Sequence, residues 1–491
     1  MTAGDVSQLE PLLPAKRRET PLPALQLAIL CMVRLSEPVA YTQIFPYVNR
    51  MMELLHVTDD PAQIGFYSGL VDSVFALAQL TMIFQWGRLS DRIGRKPCIL
   101  MGITGAACST LLFGFSSSLY TALLARTMAG LLSGNIAVIQ SMVGEMTDET
   151  NQARAYPIVE LIWYMGSIVG TLVGGTLSEP AEHFPEVFGD FQLLRDYPFL
   201  LPCAIAFSMA MFGVIIGFFF LEETLPAKRK ARGLPPFGGY DAVATTEVQS
   251  KEPVNNNRPS VRSLITDPVI ISVLRPYFLL SIQGTGFEVV FTLFSYTAIH
   301  LGGLSRNPAE IGIGLAAGGL IAAVTHPFLF PALSKRFKLK SLYCALIIIF
   351  PLSYLSLPIL NIVARRMTDP ENEDMLTPHG RFIIWILLGI MLFTIRMGGM
   401  AYAANTIFVK HAAPSREALG STFGIVQTVG SVSRGLAPAL VSSLFAITAS
   451  HNLMGGWFVW LFMAGVGVVS IFAVLHARDG AYERERGIPR R

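Results

Sequence analysis

Twelve apolar runs set the terms for this chain. They lie near 24–48, 61–86, 98–117, 119–142, 156–178, 198–221, 270–298, 308–332, 341–362, 381–408, 418–447 and 454–477. Each is about 20 residues or longer, enough to cross a ~30 Å hydrocarbon core as a helix. A span in lipid must satisfy its own backbone polar groups, so helices are the expected form. Only 14% of residues are charged and 52% are hydrophobic, against about 25% charged in an average soluble domain. The expected fold class is an all-α polytopic membrane protein with 12 transmembrane helices in two pseudo-symmetric six-helix bundles.

Between the sixth and seventh runs, residues 222–269 are rich in Pro, Asn, Lys and Glu and read as a disordered linker. The expected organisation is an N-terminal tail (1–22), a first bundle (23–221), this linker (222–269), a second bundle (270–477) and a C-terminal tail (478–491). With both tails on one side, 26 of the 37 Lys and Arg fall in segments on that side, against 6 opposite and 5 within spans. That bias predicts cytoplasmic termini and linker. No C-x-x-C pair links the five cysteines, and no metal-ligand spacing is visible.

The halves echo each other. Pro61-Ala62-Gln63-Ile64-Gly65 opens span 2 and Pro308-Ala309-Glu310-Ile311-Gly312 opens span 8. Arg126 precedes Asn135 in span 4 as Arg396 precedes Asn405 in span 10, each by nine residues. Leu89-Ser90-Asp91-Arg92 after span 2 returns as Leu333-Ser334-Lys335-Arg336 after span 8. Internal repeats of this kind are the build plan of secondary transporters, with the substrate site near the midplane.

Ionisable residues inside spans are costly and need a reason. Span 1 carries Arg34 and Glu37 at i, i+3, on one helix face beside Pro38. Two readings stand for them: an internal ion pair, or a carboxyl at Glu37 that takes and releases a proton during transport. Asp72 in span 2 and Glu288 in span 7 are further proton-coupling candidates, beside the buried Arg34 and Arg126, with binding of a cationic substrate as the alternative role of Glu288. Each acid has the alternative of a satisfied interhelical contact with a buried arginine. His326, followed by Pro327, reads as a hydrogen-bonded interface histidine, with a proton relay as the alternative. Tyr41, Phe45, Tyr67, Trp163, Tyr164 and Phe287 are candidate walls of a substrate cavity, or else packing surface.

Two runs are more specific. Gly87-Arg88-Leu89-Ser90-Asp91-Arg92-Ile93-Gly94-Arg95-Lys96-Pro97 reads as a short polar turn between spans 2 and 3. Over eleven positions it resembles the G-x-L-S-D-R-x-G-R-K-P loop of the major facilitator superfamily. Span 5 carries Gly166-Ser167-Ile168-Val169-Gly170-Thr171-Leu172-Val173-Gly174-Gly175, a stripe of small residues suited to close helix packing. It is similar to the antiporter signature G-x-x-x-G-P-x-x-G-G, with Thr171 in place of the proline.

The resemblance covers roughly 24–477. It is strongest to the drug:proton antiporter branch, of fungal multidrug-resistance type and similar to plant zinc-induced-facilitator-like transporters. Arg34-Leu35-Ser36-Glu37-Pro38 and Leu221-Glu222-Glu223-Thr224-Leu225-Pro226 look like runs of that branch. The resemblance implies proton-coupled export of small amphipathic molecules by alternating access, powered by the proton gradient with no cofactor. It implies that Arg126, in R-x-x-x-G, faces span 1 and contacts Glu37. It also implies a conformational latch of Gly87, Asp91, Arg92, Gly94, Arg95 and Glu145, with Asp91 against the start of span 11 and Arg95 paired to Glu145. The alternatives are an uptake symporter or a nutrient sensor of the same fold. No H-E-x-x-H and no phosphate-binding loop is present, so no enzymatic activity is expected. Expected partners are a small-molecule substrate and the lipid bilayer, with no nucleic acid, the chain acting as a monomer. The plasma membrane is favoured, with the vacuolar membrane as the other location.

Overall fold

A computed structural model describes residues 20–147, 151–235, 261–369, 372–412 and 419–477. Its long helices are Ala24–Thr42 (span 1), Ile64–Ile93 (2), Arg95–Gly114 (3), Leu119–Leu132 with Asn135–Met146 (4), Gln152–Leu177 (5) and Leu200–Phe220 (6). After the linker come Pro268–Tyr296 (7), Pro308–Arg336 (8), Leu339–Arg365 (9), Pro378–Gly399 with Ala401–Ala412 (10), Leu419–His451 (11) and Phe458–Leu475 (12). Eleven of these are long and apolar enough to cross a membrane on composition alone. Span 5 is the twelfth, with an apolar helical stretch at Leu161–Leu177. A small hairpin, Thr368–Asp369 with Asn372–Leu376, is the one β element among the described residues.

The expected polar turn at 87–97 is corrected: span 2 stays helical through Ile93, and Gly94 alone separates it from span 3. Gly94 has φ 111°, a conformation that glycine adopts without a Cβ penalty. A Cβ there would strike the Glu223 carboxylate. The linker expectation also changes at its start. Residues 222–235 are ordered by Arg229, which donates to Glu222 (3.0 Å) and to the carbonyls of Glu223 (3.1 Å) and Pro235 (2.7 Å). The tails, for the most part, and linker residues 236–260 lie outside the described residues.

The paired prolines at 61 and 308 both open spans. Pro308 occupies the first turn of span 8, where its missing N–H costs nothing. Asn307 and Glu310 close a capping box around it. Spans 4 and 10 are each interrupted, at Ser133–Gly134 and at Met400. In span 4 the freed carbonyls are taken by neighbours: Gln79 Nε2 donates to Ser133 O (2.8 Å) and Trp86 Nε1 to Leu131 O (2.9 Å).

Each half has its own core, one around Val33, Ile103 and Val138, another around Val290, Tyr354 and Met463. The halves touch along spans 2 and 11 and spans 5 and 8. Gly166, Gly170 and Gly174 face the backbone of span 1 at Leu35, Val39 and Gln43, while Gly175 faces Gly312 of span 8. Gly65 lies on Leu293 and Gly69 on Pro438 and Ser442. Tyr296 donates its hydroxyl hydrogen to Glu53 across the halves. Of these, the contacts between the halves lie toward one face of the bundle, opposite the linker. Toward the linker face, Gly87 and Gly424 have open space around them. The halves are therefore in direct contact on the face opposite the linker.

The Gly175–Gly312 approach should be the wedge point. Gly175→Val or Gly312→Val is expected to lengthen the distance between spin labels at Glu182 and His300 by at least a few ångströms, measured by pulsed dipolar spectroscopy.

Candidate functional site

Arg126 of span 4 is buried at the centre of the first half. Its Nη2 donates to Asp72 Oδ1 of span 2 at 3.3 Å, both side chains 4% exposed. Its guanidinium lies 4.5 Å from the Phe75 ring centroid and 6.0 Å from that of Tyr41. Aromatic faces attract a desolvated cation, so these rings add to the acid's hold. This corrects the expected Arg126–Glu37 contact. Arg126 does reach toward span 1, but it meets Tyr41 there, and its acid is Asp72 from a neighbouring helix. Motif spacing identified the arginine and not which acid the bundle would bring beside it.

Arg396 repeats Arg126 in the second half but pairs with span 7: Arg396 Nη1 lies 3.4 Å from Glu288 Oε1. The acid of span 2 has no counterpart in span 8, where Arg396 lies against Gly318. The arginine was duplicated and its acid relocated. His326 of span 8 bonds through Nε2 to the Arg396 carbonyl (2.8 Å), which sets Nδ1 as acceptor for the Tyr164 hydroxyl of span 5 (3.3 Å). One histidine thus ties the two halves together. The asparagines of the repeat also match. Asn135 packs on Gly102 of span 3, and Asn405 accepts from Tyr343 of span 9 at 3.1 Å.

Between the halves lies a cavity of about 410 Å³. Arg34, Glu37, Arg126, Glu288 and Arg396 line it, while Asp72 stands behind Arg126. Tyr41, Trp163, Tyr164 and Phe287 form part of its wall. Phe45 and Tyr67 do not reach it. Phe45 is buried edge-on to Tyr41 at 5.2 Å, and Tyr67 packs at 5.4 Å against Phe66, away from the junction. The sequence reading omitted Gln79, Gln140, Tyr277, Tyr402 and Gln427, which also line the cavity. Three of these are glutamines inside apolar runs, a polar signal readable without the structure.

On the linker face Arg95 is the hub. It donates to Asp91 (2.6 Å), Ser90 (2.5 Å) and Glu145 (2.8 and 3.0 Å). Glu145 also accepts from Thr224 Oγ1 at 2.6 Å. Glu223 accepts from the backbone N–H groups of Arg95 (2.8 Å) and Lys96 (3.3 Å), so it caps span 3 from the end of span 6. Glu223 and Thr224 belong to the Glu222–Pro226 run whose place in the cluster the sequence left open. Arg92 is exposed, and Asp91 is 64% exposed. The expected contact of Asp91 with the start of span 11 falls at 413–418, outside the described residues.

With this geometry in hand, the comparisons with known proteins decide the family. The sequence profile of the Major Facilitator Superfamily matches residues 39–438. The chain belongs to the Major Facilitator Superfamily. Among superfamily members it is 33% identical to "Major facilitator-type transporter psiT2" of Psilocybe cyanescens, over 93% of this chain and 91% of that one. It is 30% identical to "Major facilitator superfamily multidrug transporter mfsB" of Aspergillus fumigatus, over 89% and 81%. A solved bacterial homolog of the human lysosomal transporter Spinster, inward-facing and unoccupied, superposes with a TM-score of 0.61 at 15% identity. That superposition covers 94% of this chain and 95% of the other. The superfamily fold of 12 helices accounts for the architecture above, and the chain is a membrane-embedded transporter, not an enzyme.

Removing one member of the Arg126–Asp72 pair leaves a buried charge alone. Arg126→Gln is expected to cost about 3–5 kcal/mol of stability, read as a lowered melting temperature in detergent. The double variant Asp72→Asn/Arg126→Gln should recover most of that loss.

Proposed function

We propose that this superfamily member is a proton-coupled antiporter exporting small amphipathic organic molecules by alternating access. The observation that carries the reading is the cavity at the junction of the halves. It is closed on one face by direct packing, and each half contributes its own arginine–acid pair. The relative described as a multidrug transporter supports the amphipathic class. The charge bias supports a cytoplasmic linker face, with the packed face turned outward. We place the protein in the plasma membrane, or alternatively the vacuolar membrane, acting as a monomer on the proton gradient without a cofactor.

In this reading a proton arriving at Glu37, Asp72 or Glu288 cancels the acid's charge and loosens its arginine. Arg126 and Arg396 stand where the two halves face the cavity, so the change is felt at the junction. The Asp91–Arg95–Glu145 cluster then supplies the latch: when the linker face closes, Asp91, paired with Arg95 yet 64% exposed, keeps carboxylate surface to meet the positive end of span 11.

The test is accumulation of a set of fluorescent amphipathic dyes in cells lacking their own pumps. Wild type should lower accumulation of at least one dye, and a protonophore should abolish the effect. Glu37→Gln and Glu288→Gln should each reduce export about a hundredfold or more at equal surface abundance, the lower end of the 10²–10⁴-fold range that positioned proton-transfer groups contribute. Raised accumulation would favour the uptake symporter, and export indifferent to the protonophore would refute proton coupling.

A further inference from the structure

Four arginines line the cavity: Arg34, Arg126, Arg396 and Arg434. Three stand with acids. Arg126 has Asp72, Arg396 has Glu288, and Arg34 shares a helix face with Glu37 one turn on. Arg434 on span 11 differs. Its Nη2 donates to Ser431 Oγ of its own helix at 3.0 Å, and among the described residues no carboxylate is within ion-pair reach of it. It is half-buried in the cavity wall.

The helix behind it is braced. Gly435 lies against Leu77 of span 2, and Pro438 interrupts the hydrogen-bond ladder one turn further on. The Ala439 N–H turns out to donate to Ser73 Oγ at 2.9 Å. The guanidinium is thus held on a fixed stretch of the junction. An uncompensated charge in a low-dielectric wall is expensive unless something there uses it. Ser431 engages one edge of a five-donor fork whose geometry matches a carboxylate bidentately. Tyr41, Trp163, Tyr277, Phe287 and Tyr402 line the same cavity with aromatic faces suited to a ring.

Resting on the proposed export of amphipathic molecules, we infer that the substrate is an aromatic carboxylate and that Arg434 binds its acidic group. One surplus positive charge matches a monoanion better than a phosphate ester, which carries close to two negative charges. The same surplus disfavours lipophilic cations, which the three compensated arginines alone would not. Proton exchange stays with the acids. An inside-negative potential drives the anion outward together with the proton gradient.

The experiment is equilibrium binding to the purified full-length protein of three probes sharing one fluorophore: dansylglycine (anionic), dansylamide (neutral) and dansyl-ethylenediamine (cationic). Dansylglycine should bind about tenfold or more tighter than the other two. Arg434→Gln should erase that preference while dansylamide binding, the check on a folded cavity, is unchanged, and Arg434→Lys should restore part of it. Glu288→Gln, which releases Arg396 from its acid, should tighten dansylglycine further. Equal affinities in wild type, or a preference surviving Arg434→Gln with dansylamide binding intact, would overturn the assignment and leave amphipath transport standing. If none of the three binds folded, monodisperse protein, the amphipath reading fails and the inference with it.

Discussion

Charge inside a low-dielectric bundle must be compensated, and that constraint organises this transporter. Asp72 and Arg126 sit together at the core of the first half, with aromatic rings packed over the guanidinium. Removing water from either ion alone costs several kcal/mol, so the helices that carry them are bound to stay in register. Span 2 and span 4 are held by that requirement, and span 4 in turn breaks at Ser133–Gly134 just beyond it. The second half solves the same problem with another helix, Glu288 of span 7 meeting Arg396 of span 10. The duplication kept the expensive cation and let the acid move.

A second constraint is backbone proximity. Helices in lipid gain little from excluding water against one another, so close packing through small residues carries the association. The span 5 glycines serve two neighbours at once. Gly166, Gly170 and Gly174 admit span 1, whereas Gly175 on a different face admits Gly312 of the other half. A stripe similar to an antiporter signature therefore lies where the two halves meet. Thr171, in the place of that signature's proline, donates to the Ser167 carbonyl at 2.9 Å and leaves the helix unbroken.

The linker-face cluster joins three helices through one arginine. Arg95 reaches Asp91 on span 2 and Glu145 on span 4, and Glu223 and Thr224 at the end of span 6 close the ring. All belong to the first half, so the cluster ties the linker-face ends of that half together. Only Asp91 is left with much of its surface uncovered, which suits a contact made and broken across the halves.

Much of this was legible in the chain itself. Spans follow from apolar length, because a backbone in hydrocarbon has no other partner than its own helix. The repeat followed from prolines, arginines and asparagines recurring in order, and Arg95–Glu145 from a resemblance carried by eleven residues. Phe45 and Tyr67 take the packing alternative, because helical spacing fixes a face without saying what that face meets. Arg126 was given Glu37 for the same reason: a motif names residue types along one helix, while the acid that compensates a cation is chosen by which helices pack together. Local sequence determined the helices, their ends at Gly94 and Pro308, and the inventory of buried charge. Only the tertiary arrangement decided the pairing of those charges and the side on which the halves close, because both depend on distances between segments far apart in the chain.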